Sequence, residues 1–354
     1  MLDKVSSLGY TLLGDYEGTR VFNTGDPNST TYVKYSFKHE DCGTVFEDNL
    51  SRVPRCPACY SNNSQAEDRF RKYIESLGFI TEKIQIADGN TKKEIDIYIP
   101  SLKIGFEYNG SVWHSSKYNT KQSYHKHKTE LCLHEGIKLY HIWDFEDEDI
   151  LKSKIKYILN KTDGKLYARK LKIKPVSTLE QELFLNNNHL FKHCGSLFSF
   201  GLYNNLDELV CLMSFKRQRL YSNNVELVRY CCKKDISIIG GFSKLLKHSI
   251  SYIKNNFSNI NKIITFAYRD NCPEYEDSVY YKCGFKFIKY NNGSLRYYND
   301  NNKKVYPRDK YRKDKLRKLF PETYDEKETE KSILEKNNIH TLYDSGTIKF
   351  EMEI

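Results

Sequence analysis

The sequence predicts a multidomain α/β protein, on three observations. The chain has 354 residues, two to three times the usual length of one domain. Apolar residues make up 39% and charged residues 29%, the composition of a globular chain rather than a disordered one. The pattern changes character near residues 64 and 162, which divides the chain into 1–64, 65–162 and 163–354. No run approaches the ~18 apolar residues of a membrane span. The opening residues MLDKVSSLGY also lack a basic stretch followed by an apolar one. A cytoplasmic protein without a membrane partner is expected, and its ten cysteines should be reduced thiols.

Residues 1–64 consist of short β-like runs, Thr31 to Phe37 and Thr44 to Phe46, broken by turn residues. Within them His39-x2-Cys42 and Cys56-x2-Cys59 form two close ligand pairs separated by thirteen residues. That spacing suits a tetrahedral zinc ion, one pair on each of two tight turns. So small and polar a segment cannot fold on apolar burial alone, and a zinc-ribbon-like module with structural zinc at His39, Cys42, Cys56 and Cys59 is expected. With four protein ligands, no position is left open for a catalytic water.

Residues 65–162 read helix, strands, helix, strand, helix, the order of a compact α/β layer. Gln65 to Leu77 places Phe70, Ile74 and Leu77 on one helical face, closed by Gly78. Glu94 to Ile99 and Lys103 to Tyr108 are strand-like, separated by Pro100-Ser101. Tyr124 to His134 is a second helix, and Ile137 to Trp143 an apolar strand. Asp96 and Glu107, eleven positions apart on adjacent strands, can meet at one sheet edge and hold a divalent cation such as magnesium through hard oxygen atoms. Glu67 on the preceding helix could add a third carboxylate. Phosphodiester hydrolysis uses such clusters, the ion activating water and neutralising phosphate charge. His114, after Trp113, could act as general base or acid near neutral pH, and His125 and Lys128 lie on the next helix.

Residues 163–354 begin with KLYARKLKIKP at 165–175, five basic residues and no acid, which reads either as a linker or as an arm that follows DNA. Strands and helices then alternate to Phe350. Ile239-Gly240-Gly241-Phe242-Ser243-Lys244 is a glycine turn running into a helix, an arrangement that can offer backbone N–H groups to a pyrophosphate.

Two resemblances add to this reading. EIDIYIPSLKIGFEYNGSVWHSS, followed by SYHKHKTELCLHEGIKLYHIWDFED, resembles the PD-(D/E)xK nuclease core. More narrowly, it resembles the very short patch repair endonuclease-like group of Hef-like phage homing endonucleases, with their EDxHD motif. The resemblance implies a restriction-endonuclease-like fold with Asp96 and Glu107 as magnesium ligands, Glu67 as the N-terminal acid and His114 as the catalytic histidine. It also implies a phage-encoded enzyme at work in a bacterial cytoplasm. One departure is evident: Asn109 stands where the wider superfamily has lysine, so His114, His125 or Lys128 would have to supply the missing charge. The glycine turn, Thr265 to Tyr268 and the segment Tyr280-Tyr-Lys-Cys-Gly-Phe285 resemble GNAT-like acetyltransferase folds of the Mom-like kind. That likeness implies an α+β domain in which Gly240, Gly241, Ser243 and Lys244 could contact coenzyme A. The turn lacks the full run of spaced glycines, so retention of the fold for DNA binding is the favoured expectation.

Charge supports a polyanionic partner. The three segments carry net charges of −2, +1 and +11, so the basicity is C-terminal. Candidate contacts to double-stranded DNA are Arg169, Lys170 and Lys172, then Lys216, Arg217 and Arg219, then Arg308, Lys310, Arg312 and Lys313. The expectation is a magnesium-dependent DNA endonuclease with a structural zinc. A DNA-modifying acyltransferase, or a DNA-binding protein with an inactive nuclease core, is the alternative. Nothing in the sequence specifies an oligomer.

Overall fold

The structure is a computed structural model and describes residues 9–14, 19–21, 32–40, 43–49, 54, 56, 65–118, 120–218 and 223–354. The protein is mixed α/β, in two compact units, residues 1–70 and 71–354. Among the described residues no helix is long and apolar enough to cross a membrane.

In the first unit β3 (Tyr32–His39) is the centre of an antiparallel sheet, flanked by β1 (Tyr10–Leu13), β2 (Thr19–Val21) and β4 (Val45–Asn49). Its core is small: Tyr10, Phe37 and Cys56, with Leu12, Tyr35 and Phe46 packed around them. Helix α1 (Gln65–Ser76) begins in this unit and continues into the second. Phe70 and Ile74, four apart, are its buried apolar residues at the predicted spacing, and Gly78 at φ +90° follows its end.

The second unit opens with a four-stranded sheet in the order β5 (Glu82–Asp88), β6 (Thr91–Ile99), β7 (Ile104–Asn109), β8 (Lys138–Trp143). The first three strands form an antiparallel meander; β8 lies parallel to β7. Helix α2 (Tyr124–His134) is the crossover that a parallel pair requires. Strand β6 follows the two-residue period of a sheet: Ile95, Ile97 and Ile99 are wholly buried on one face, which leaves Asp96 and Tyr98 on the other. β7 and β8 are buried on both faces, as parallel strands usually are. Gly105 lets β7 pass between neighbours, because a Cβ there would lie 3.0 Å from Ile95 and 3.1 Å from Leu139. Helix α3 (Glu148–Ile158) closes this part, its first turn capped by the Asp147 carboxylate on the Ile150 N–H at 3.2 Å.

The 165–175 segment is structured. Strand β9 (Gly164–Tyr167) and strand β10 (Lys172–Pro175) flank a turn that buries Ala168 and Leu171 in the large C-terminal core. α4 (Thr178–Asn188) follows, then β11 (Phe198–Tyr203), β12 (Leu209–Arg217), β13 (Asn224–Cys232), β14 (Ile236–Ile239), α5 (Gly241–Asn256), β15 (Lys262–Tyr268), α6 (Val279–Lys282) and β16 (Lys286–Tyr290). A small sheet of β17 (Leu295–Asn299), β18 (Lys304–Pro307) and β19 (Ile339–Tyr343) carries α7 (Lys313–Leu319) and α8 (Glu330–Lys336), and β20 (Thr347–Glu353) ends the chain.

The main sheet runs β10-β11-β12-β13-β15-β20-β16, antiparallel throughout except for the β13–β15 pair. β14 pairs in parallel with β9 outside it. Buried links join this sheet to the β5–β8 sheet. The Trp143 Nε1–H donates to Asp270 at 2.7 Å, the His141 N–H to the Asp270 carbonyl at 3.1 Å, and Arg269 pairs with Glu130 at 3.1 Å.

Candidate active site

The register of β6 on β7 sets the site. Ile97 pairs with Phe106, so the next residues outward, Asp96 and Glu107, face each other on the opposite side of the sheet from the isoleucines. There the Asp96 Oδ2 accepts the Tyr108 N–H at 2.8 Å, and Glu107 is buried at 4% exposure. The Lys128 ammonium, itself buried, reaches from α2 and donates to Glu107 Oε1. The second carboxylate oxygen, Oε2, is buried with no partner among the described residues.

Burial raises the pKa of both carboxyls. Glu107 is lifted to about 7, chiefly by desolvation, against the opposing pull of Lys128 and with some help from the Asp96 charge. Asp96 is raised for the same first reason, with Lys128 and the Tyr108 N–H acting against the shift. Burial disfavours the charged form of both carboxyls, so a cation placed between them would be needed to hold both ionised.

Asn109, two positions beyond Glu107, is fully buried and structural. Its amide donates to His141 Nδ1 at 3.3 Å. In turn His141 Nε2–H donates to Thr129 Oγ1 at 2.9 Å, and the Thr129 hydroxyl donates to the His125 carbonyl. This chain fixes His141 as a neutral ring, in line with a pKa that burial drives well below its ordinary value. The positive charge beside Glu107 is that of Lys128: burial works against it, but the Glu107 carboxylate outweighs burial and raises its pKa.

His114 stacks in a file of rings, 4.8 Å from His125, which lies 5.2 Å from His141 and 4.9 Å from Trp143. Burial, reinforced by the Lys128 charge, lowers His114 to about 4. At neutral pH it is uncharged: it can accept a hydrogen bond but cannot donate a proton as an acid, which removes the near-neutral titration expected of it. His125 is deeper, with both ring nitrogens buried and unpartnered among the described residues, and is held neutral. Glu67 lies on the first turn of α1, in the first unit, and is buried.

The structure thus brings Asp96, Glu107 and Lys128 together with His114 and His125 in the ring file beside them. His141 and Thr129 were missed by sequence reasoning; His141 stands inside the apolar run Lys138–Trp143, where a histidine carries no periodic signal.

Of the expected zinc ligands, Cys42 and Cys59 lie outside the described residues. His39 and Cys56 are both buried and converge on Tyr10, whose ring is 4.7 Å from His39 and whose hydroxyl accepts the Cys56 N–H at 3.5 Å. Among the described residues no group of three or more His, Cys, Asp or Glu is arranged as a metal cage.

Gly240 adopts φ +76° and caps α5 as expected of a glycine turn. Gly240 and Ser243 stay exposed, but the Lys244 side chain turns back onto the protein. Lys244 donates to the carbonyls of Ala168 at 2.9 Å and Leu171 at 2.6 Å, Ser243 donates to the Gly240 carbonyl at 3.2 Å, and Gly241 is buried. Of the basic candidates, Arg169, Lys170, Lys172, Lys216, Arg217, Arg308, Lys310, Arg312 and Lys313 are all exposed, and Arg219 lies outside the described residues.

No family profile and no curated protein matches the chain. Among solved structures, it is similar to a Bacillus subtilis acetyltransferase in complex with CoA: 16% identity over 52% of this chain and 99% of that one, TM-score 0.30. It is also similar to a spermidine/spermine N-acetyltransferase from Vibrio cholerae in complex with manganese ions, 10% identical over 52% and 94% of the two chains, TM-score 0.29. A GNAT-family acetyltransferase from Bacillus anthracis is 13% identical over 44% and 65%, TM-score 0.24. At such scores and identities none of them assigns a substrate or a reaction to this chain.

Proposed function

We propose that this chain is a magnesium-dependent endonuclease that hydrolyses DNA phosphodiester bonds at Asp96, Glu107 and Lys128. The observation that carries the reading is Glu107: buried, one oxygen on an ammonium, the other unbonded, beside a second carboxylate. Asp96 and Glu107 fit the group, because magnesium takes hard oxygen ligands and is usually held by one or two carboxylates plus substrate phosphate and water. Bound there, the ion would polarise the phosphate and lower the pKa of a water molecule. Lys128 fixes the rotamer of Glu107 and keeps a positive charge beside the position that phosphate would take. His114, neutral at pH 7, can accept a hydrogen bond from the attacking water. The exposed basic side chains of the C-terminal segment would hold the duplex by phosphate contacts. A homing endonuclease with a structural zinc at its N-terminus is the finer form of the same proposal.

The test is conversion of supercoiled DNA to the nicked or linear form. Wild type should cleave with magnesium and fail with chelator, and Asp96→Asn should fail in both. Equal cleavage by wild type and Asp96→Asn would refute the assignment.

A second reading, acyl transfer from coenzyme A, has one observation in its favour. The β13–β15 ladder ends at Leu227 and Thr265 although both strands run on, so the sheet opens there. The inward use of Lys244 weighs against it. Coenzyme A retained by the purified protein would favour it.

A further inference from the structure

A cleft of about 770 Å³ lies within the second unit, away from Asp96, Glu107 and Lys128. Three stretches far apart in sequence build it: Phe145 to Asp147 beyond β8, Leu190 to Lys192 with Arg229, and Ser294 to Arg296 with Arg308. None of Gly240, Gly241, Ser243 and Lys244 lines it, so it is separate from the glycine turn.

Its wall combines fixed cations with apolar faces. The Arg229 guanidinium is held by three backbone carbonyls, of Lys192 at 3.2 Å, Val228 at 2.8 Å and Phe191 at 3.4 Å. It lies 5.9 Å from the centre of the Phe191 ring. Arg296 approaches the same ring from 5.4 Å and the Phe145 ring from 5.5 Å. Its Nε is buried and without an acceptor among the described residues. Arg308 is exposed at the rim.

The acids in the wall are already engaged. Asp147 accepts from Lys192 at 3.0 Å and from the Ile150 N–H, and Glu146 accepts the Trp143 N–H at 3.1 Å. Arg296 is also held by the Tyr268 hydroxyl, and the Glu146, Asp270 and Asp344 carboxyls lie near enough to offset part of its charge. Three guanidinium groups, two of them held against rings, form a preorganised site for phosphate oxygens. The volume far exceeds that of a phosphate ion and falls in the range of small-molecule sites, and the phenylalanine and leucine side chains leave apolar wall for the remainder.

We propose that this cleft is a nucleotide-binding site, in which Arg229, Arg296 and Arg308 hold the phosphate and the apolar wall packs against base and sugar. The proposal needs neither Asp96 nor Glu107 and shares with the nuclease reading only Arg308, an exposed candidate contact to DNA; Arg229 and Arg296 belong to the cleft alone. The same chemistry could come from a free mononucleotide or from one nucleotide of a single strand, whose bases stack on guanidinium and aromatic planes.

The test is calorimetric titration of the full chain with each of the four deoxynucleoside 5′-monophosphates, with deoxyadenosine, with inorganic phosphate and with a ten-nucleotide single strand. At least one monophosphate or the strand should bind, with deoxyadenosine and phosphate each about tenfold weaker or worse. Arg308→Gln, which removes only an exposed side chain, should weaken that binding about tenfold, as should Arg296→Gln; Glu107→Gln should leave it unchanged. Binding of the strand that the monophosphates cannot displace, yet that needs Arg308, identifies a strand nucleotide as the occupant. Displacement identifies the free nucleotide chemistry as sufficient. The proposal is overturned by phosphate binding as tightly as the nucleotides, by binding indifferent to Arg308→Gln, or by no binding at all.

Discussion

At the scale of single residues, the pair Glu107–Lys128 is the decisive feature. A buried ammonium on a buried carboxylate gains little over an apolar pair, but breaking it strands a charge. Lys128→Met should therefore destabilise the protein by about 3–5 kcal/mol. The double variant Lys128→Met, Glu107→Gln should recover most of that loss in chemical denaturation; additive losses would mean the two groups do not act as a pair. The two carboxylates were legible in the sequence because strand alternation and an eleven-residue separation place them opposite each other. Lys128 was legible only as one of three candidates, since the departure at Asn109 says that a charge is missing but not where it went. His141 was invisible: its neutral, doubly bonded ring depends on Thr129 and Asn109, which meet it only after folding.

At the scale of elements, the packing across β6, β7 and β8 sets the register that brings the two carboxylates together. A side chain at Gly105 would press on both neighbouring strands, so Gly105→Val should force Ile95 and Leu139 apart and lower stability by about 1–3 kcal/mol, read as a fall in thermal midpoint. An unchanged midpoint would mean that β7 has room the structure does not show. Between residues 65 and 143 the helices Gln65–Ser76 and Tyr124–His134 and the strands Thr91–Ile99, Ile104–Asn109 and Lys138–Trp143 lie close to where the sequence placed them, whereas the strand Glu82–Asp88 was not foreseen. The stretch 165–175 read as a linker or arm because its five basic residues dominate the text. Its two core positions, Ala168 and Leu171, are too few to leave a period, and only pairing with β14 and β11 makes β9 and β10 strands. The glycine turn was correctly read as a helix start, but the inward course of Lys244 is a tertiary fact with no local signature.

At the scale of the whole molecule, acid should unfold the protein through its histidines. Burial lowers His189 to about 3 and His114 to about 4, and drives His125 and His141 well below 6.5. Each ring stays neutral in the folded state and takes up a proton when unfolded, so stability is present above about pH 6.5 and declines as the pH falls below it. Each fully buried imidazole contributes a slope of up to about 1.4 kcal/mol per pH unit. Glu107, raised to about 7, and Asp344, raised to about 6, take up protons in the folded state over the same range and offset part of this slope. The thermal midpoint should still fall between pH 6.5 and 4.5; a midpoint that rises on acidification would show that these rings are not buried neutral. The +11 balance of the last segment was legible from composition, whereas the cleft of Arg229, Arg296 and Arg308 was not, because its walls come from several separate stretches of the chain that meet only on folding. In the proposed function Glu107, with Asp96, holds the ion that hydrolyses DNA. The most direct measurement is the initial rate of nicking of supercoiled DNA across a magnesium titration, wild type against Glu107→Gln. The wild-type rate should rise to saturation with magnesium while Glu107→Gln stays at the level of DNA without protein. A Glu107→Gln protein that is folded and nicks at the wild-type rate would contradict it.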